Sequence, residues 1–251
     1  MTKKSLIYNA IYVAAGVLAI ILLWTLLAVT QDKPLLFPTV GQILHQMFLL
    51  FGSATFYSAV FNTLLRCLLA FALAIAIAFV LVLTVAVFPA VGRVFAPIIA
   101  LLRAFPTMSV ILIALVWLNS RSSPVLVGFL IAFPLLYSNL LNKVTDISVQ
   151  LTDMCKVYHV DRVRRITRMY IPAILPQLAH QTSAVFPVVI KVVIAGEVLA
   201  YTANSMGMEM FEAKLDINIA LLLAWSIVAV LLGYIVRLIV WGVEKGVSKC
   251  R

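Results

Sequence analysis

Apolar residues run through this chain in six long blocks separated by short polar breaks, and one break is far more polar than the others. A hydrocarbon slab about 30 Å thick is crossed by roughly 20 apolar residues in a helix. Blocks at 8–29, 67–88, 97–118, 124–141, 174–201 and 219–241 meet that length. The second is apolar almost without interruption over 22 residues, whereas a transmembrane barrel would alternate in segments of about 10. The pattern predicts an all-α polytopic membrane protein with six transmembrane helices, in one transmembrane domain over 1–251. The first block is too long for a signal-peptide core and lacks an A-x-A site near its end, so it is expected to stay as an extra N-terminal span.

The breaks have their own character. Gln31-Asp32-Lys33-Pro34 leads out of the first span. Pro38 then opens a helix with Val40, Ile43, Leu44, Met47, Phe48 and Phe51 on one face, ended by Gly52-Ser53. That stripe is amphipathic, and it suits a helix lying flat at the outer interface or one packed over neighbouring spans. Pro89 and Gly92 around Arg93 predict a tight inner turn, and 119–124 a tight outer one. The tail from Glu244 reads as short, charged and frayed, and no internal repeat or second domain is visible.

Composition narrows the class. The chain is 64% hydrophobic, with a mean hydropathy of +1.13 and 11% charged residues, against about 25% charged in soluble domains. A soluble globular protein is excluded. Basic residues are biased: twelve fall on the flanks that are inside if the amino terminus is cytoplasmic, and only Lys33, Arg66, Arg121 and Lys214 fall outside. By the positive-inside rule both termini are cytoplasmic. The net charge of +10 then reflects topology and attraction to membrane lipids with anionic head groups. Nucleic acid is a poor partner, because the basic residues are not interleaved with exposed aromatics. Cys67, Cys155 and Cys250 are scattered and odd in number, which supports neither disulfides nor a metal site.

The most polar break is 143–170, whose 28 residues hold nine charges. Residues 151–157 predict one short helix and 161–170 a second, with Asp161 placed to cap the latter. Pro172 and Pro176 suit the start of the fifth span. Two short helices joined by a turn make a knob at the membrane surface, either a handle for a partner or a solvated positive loop.

Catalytic groupings are missing. His45, His159 and His180 form no H-E-x-x-H pair, and there is no G-x-S-x-G elbow and no phosphate-binding G-x-x-x-x-G-K-[ST] loop. The chain is not expected to be an enzyme or to hold a cofactor. If it drives active transport, the energy comes from an ion gradient or a separate ATPase.

The polar break resembles the cytoplasmic E-A-A loop of binding-protein-dependent transport permeases, the membrane subunits of ABC importers, whose pattern is roughly L-E-A-A-x-x-x-G-A-S-x-x-x-x-F-x-x-V-x-L-P. Without gaps, Asp153 falls on the Glu, Met154 and Cys155 on the two Ala, and His159 on the Gly. Asp161 falls on the Ser, Ile166 on the Phe and Ile171-Pro172 on the Leu-Pro. Thr63-Leu64-Leu65-Arg66 with Ala70-Phe71 is similar to S-L-x-R-x-x-x-G-F, and Leu102-Arg103-Ala104-Phe105-Pro106 to L-R-P-I-P. Ala195-Gly196-Glu197 resembles the A-E ending of the fifth span, Ser205-Met206-Gly207 the following G-L-G, and Leu36-Phe37-Pro38-Thr39 the L-P-S-P before the outer helix. The ordered set covers about 36–240 and is closest to the subgroup importing nitrate, sulfonates, taurine and thiamine precursors.

That resemblance implies a type I ABC importer (MetI-like) permease fold, with a core at 36–241 and a cytoplasmic coupling loop at 143–172, in a bacterial cytoplasmic (inner) membrane. It implies two copies of an ABC ATPase subunit, which bind the ATP, and a periplasmic or lipid-anchored substrate-binding protein. A second permease copy, as a homodimer, would complete the pathway for a small polar or anionic organic solute. The implied coupling residues are Asp153, Met154, Cys155, His159, Asp161, Arg162, Arg164, Arg165 and Pro172. Departures stand out: a left-handed turn costs an L-residue roughly 1–2 kcal/mol, although His tolerates it better than most, so His159 implies an altered knob. Met154 and Cys155 in place of Ala are expected to enlarge the docking face.

Ionisable groups within spans mark function by default. Lys191 lies six residues before Glu197, about 120° round the helix, and the family pattern has an apolar residue near it. It either meets an anionic cargo or snorkels or pairs with Glu197 of either copy. Arg103 beside Pro106 reads as a hinge near the pathway or as an arginine reaching the inner head groups, and Arg237 near Trp241 as an interfacial anchor. Glu209, Glu212 and Asp216 could meet basic residues on a delivery protein. Rival readings are a stand-alone secondary transporter, for which matching broken halves are lacking, and an integral-membrane enzyme or assembly factor.

Overall fold

A computed structural model describes residues 3–31, 33 and 35–249. Asp32 and Pro34 of the first break, together with Cys250, lie outside the described residues, and so does the side chain of Trp241. The described chain is helical with no strand. Its helices are α1 (Lys3–Gln31), α2 (Val40–Phe51), α3 (Ala54–Val87), α4 (Pro89–Ala104), α5 (Thr107–Trp117), α6 (Ser123–Thr145) and α7 (Val149–Val157). Then follow α8 (Arg162–Arg165), a π-helical turn (Ile166–Tyr170), α9 (Ile171–Ala200), α10 (Met206–Leu215) and α11 (Ile219–Lys249). Five helices are long and apolar enough to cross a membrane, or six if the bent pair α4–α5 counts as one span. The chain is a multi-pass membrane protein.

Helices α3, α6 and α9 make the central bundle. Small side chains let them approach: Ala70, Ala74 and Ala78 of α3 are fully buried, and Gly128 of α6 lies against Ala70 and Val193. Small residues at interfaces are how membrane helices gain dispersion contacts where lipid offers no hydrophobic drive. Phe71 meets Phe186 edge to face at 5.3 Å. Helix α11 packs on α9 and α2, with Trp225 stacked on Phe56 at 5.5 Å.

The beginnings of α3 and α6 and the end of α9 lie together, since Thr63 reaches Glu197, Thr202 reaches Ser120 and Gly196 abuts Pro124. We call this the upper end. Because α3 and α6 both run down from it, α4 and α5 must climb back. They do so as two helices bent by 101°, where the sequence implies one span at 97–118 hinged at Pro106. Phe105 precedes a proline, which disfavours helix there, and it is extended (φ −64°, ψ 128°). Separately the two helices are about 24 Å and 16 Å long, too short to cross.

Other boundaries also move. Ser53 caps α3 by accepting from the Phe56 N–H at 3.2 Å, so that helix begins well before Cys67. The inner turn narrows to Phe88, as Pro89 already opens α4. The second knob helix is not separate: α8 runs through the π turn into α9, where the Ile171 N–H bonds Ile166 O. Pro172 lacks the N–H that an α-helix would use there, and a π turn absorbs the mismatch. The tail from Glu244 continues as helix to Lys249 rather than fraying.

Helix α2 takes the packed alternative. Ile43 and Leu50 are buried against its neighbours, while Phe48 is 82% exposed; the stripe had omitted Leu50. Helix α1 touches the rest near Trp24, whose Nε1–H donates to Pro38 O at 3.0 Å.

Candidate functional site

Two constructions stand out, one at each end of the bundle. At the upper end, α3 presents Thr63 and Arg66, three residues apart and so on one helix face. The last turn of α9 presents Glu197, which is completely buried. Arg66 Nη1 donates to Glu197 Oε1 at 2.8 Å, and Thr63 Oγ1 lies 3.0 and 2.9 Å from the two carboxylate oxygens. Tyr201, left-handed at φ 45°, ends α9 and turns the chain so that α10 starts against this carboxylate. The Gly207 N–H donates to Glu197 Oε2 at 3.2 Å and the Met206 N–H to Thr63 Oγ1 at 3.0 Å. A carboxylate at a helix N-terminus satisfies free amides and meets the positive dipole end. Ser205 caps the same turn, accepting from the Met208 N–H at 3.0 Å and donating to Thr202 O at 2.7 Å.

This latch ties α3, α9 and α10 through one carboxylate. Glu197 is fully buried beneath these partners and lines no surface in this structure. Glu197 does not pair with Lys191 of the same chain, and Arg66, counted on an outer flank, is turned into the bundle. Sequence reasoning missed this pairing although three of its motif segments, 63–66, 195–197 and 205–207, supply the atoms. Their convergence was the available signal.

Beyond the latch, the acidic residues are partly engaged. Tyr201 Oη donates to Glu212 Oε1 at 2.8 Å; that bond, then the carboxylate's charge, pushes the phenol's pKa up. Burial first, and Glu212 second, raises the Glu209 pKa.

At the lower end α7, the following turn and α8 form the knob. Ser148 caps α7, accepting from the Leu151 N–H at 3.4 Å, and Asp161 caps α8, accepting from the Val163 N–H at 3.2 Å. Between them His159 takes the left-handed conformation at φ 49°. The turn that glycine would supply is therefore present without glycine. Asp161→Ala is expected to cost about 1 kcal/mol of local stability, read as faster proteolysis or hydrogen exchange confined to 158–168.

Cys155 does not enlarge an outer face: it is buried within the knob, and the Val160 N–H bonds its carbonyl at 2.9 Å. Asp153 is exposed and paired with Lys156 at 2.8 Å. Arg162 lies over the Phe88 ring at 5.2 Å, touching the corner between α3 and α4. Arg165 donates to Tyr170 Oη at 3.1 Å, whereas Arg164 and Pro172 are exposed. Met154, expected on the docking face, is 47% exposed; what sequence reasoning missed is the apolar company it keeps, Val149, Leu151, Val157, Tyr158 and Val163, at 69%, 39%, 74%, 76% and 64% exposed. Charge had drawn attention away from them.

Of the remaining candidates, Arg103 is exposed in the last turn of α4, beside the bend. Lys191 is exposed on α9 and lines a groove shared with α11, as does Arg237. Among the described residues no group of three or more His, Cys, Asp or Glu could hold a metal ion. No protein-family model matches the sequence, and no curated protein matches it either.

Proposed function

We propose that this chain is the membrane-spanning permease subunit of a type I ABC importer, with six crossings in which α4–α5 count as one, and not itself an enzyme. In this reading it forms part of the pathway for a small polar or anionic organic solute, with the knob in the cytoplasm and the latch outside. The observation that carries it is the knob: a capped helix, a left-handed turn and a second helix, with six exposed apolar side chains amid arginines. Exposed apolar residues on so polar a segment favour a protein partner over plain solvation. The meeting of three motif segments in the latch supports the same family likeness.

The mechanism follows from connectivity. An ATPase pair closing on ATP would press the two knobs of a permease dimer. Displacement of α8 passes along unbroken helix into α9, and at the far end the latch makes α3 move with α9. Arg162 on Phe88 gives a second route, into the α3–α4 corner. A binding protein delivering cargo would dock at the upper end, near Glu209 and Asp216.

The test replaces 149–161 by a Gly-Ser tether in a chain expressed with its candidate ATPase. Loss of ATPase co-purification and of nucleotide-driven uptake, with normal membrane insertion, is expected. Full uptake after the replacement, or labelling that puts the knob outside the cell, overturns the reading; uptake without nucleotide would favour a secondary transporter.

A further inference from the structure

Lys191 is a cation that this chain does not neutralise. By helical rise it lies about 17 Å from His180 and about 14 Å from Ala200, the two ends of its apolar span. Neither distance is one that a lysine stem can snorkel across. A charge at that depth is costly unless it is paired or hydrated. Among the described residues Lys191 makes no ion pair. The spans contain a single acidic residue, Glu197, and Arg66 already holds it. A second copy of this chain would bring only another Glu197, equally occupied. What meets it, water in an open groove or a counter-charge, must come from outside the chain.

The surroundings say what kind. Lys191 lines a groove of about 470 Å³ between α9 and α11 that reaches from Met210 past Ser226 and Gly233 to Arg237. Ser226 to Arg237 spans about 17 Å of helix axis. A Cβ added at Gly233 would come to ordinary contact distance, 3.8 Å, of Pro187 and Ile190, so a side chain there would take up part of the groove. Arg237, expected to be only an interfacial anchor, belongs to the same groove. Its walls are mostly apolar with two cations along them; of the acidic residues on neighbouring α10, Glu212 is committed to Tyr201 and Glu209 is not among the residues that line the groove.

We propose that this groove is a passage for a small organic anion, which Lys191 meets at mid-depth and Arg237 receives nearer the lower end. This deepens the importer reading and rests on it for calling the anion cargo.

The test needs neither cargo nor ATPase. Lys191→Cys and, separately, Ser226→Cys are placed in the full chain in phosphatidylcholine nanodiscs, with the parent chain giving the background. Each is treated with an anionic and a cationic methanethiosulfonate of similar size, and rates are divided by those for a free thiol. Both positions are expected to react, with the anionic reagent favoured about fivefold, the order set by unit charges about 10 Å apart in a wet groove. Adding Arg237→Met to Lys191→Cys should bring the ratio towards one. No reaction at either position would mean that lipid or protein fills the groove, and equal or cation-favouring rates would remove the anion; each overturns the proposal. ATPase recruitment is scored separately on the parent chain, so failure of the importer reading shows up independently.

Discussion

Glu197→Ala is expected to cost about 3–5 kcal/mol of folding stability, the usual result of stranding one member of a buried ion pair. The loss has three parts. Arg66, itself nearly buried, keeps its charge without a partner; Thr63 loses its acceptor; and the first amides of α10 lose the anion that satisfied them. Removing both charges should hurt much less, because a buried pair replaced by apolar groups of similar size is often close to neutral. Arg66→Met/Glu197→Met should therefore recover most of what Glu197→Ala loses. Denaturant titration in mixed micelles measures all three variants. A loss under about 1 kcal/mol for the single variant would match a solvated pair and would contradict the closed latch described above.

Gly207→Ala tests the same place sterically. An added Cβ would come within 2.4 Å of Glu197 Cβ, 2.6 Å of Val198 N and 2.8 Å of Glu197 C. Two of those three are backbone atoms, so no rotamer change relieves them and α10 must move off α9. Overpacking of this kind costs about 1–3 kcal/mol or somewhat more, to which the Met206 and Gly207 hydrogen bonds to the latch are added. Gly128→Ala is a useful contrast, because its added Cβ would meet side chains and no backbone, Val193 Cγ2 at 2.8 Å and Ala70 Cβ at 3.0 Å. The same thermal or denaturant assay should show position 207 as the more damaging of the two. Equal tolerance at both would mean that α10 is free to shift.

The long apolar helices were legible because a lipid slab imposes one length and one composition on whatever crosses it. The Asp161 cap was legible because capping is a local matter between a carboxylate and the next turn. Burial of Cys155 was not, since it depends on how α7 folds back on the segment after α8. The Arg66–Glu197 pair was missed for a similar reason: the partners are 131 residues apart, and reading along one helix drew Glu197 towards Lys191. Pro106 signalled a kink, but a proline alone does not set an angle, and 101° is a corner rather than a kink.

That corner has a consequence for how the molecule sits in lipid. The last carbonyls of α4 and the first amides of α5 have no helical partners, and hydrocarbon tails offer none. Irregular backbone survives at such depth only where protein covers it or water reaches it. Phe105 and Pro106 are open on the isolated chain, so wherever the corner lies within hydrocarbon, water or a neighbouring protein has to cover that side.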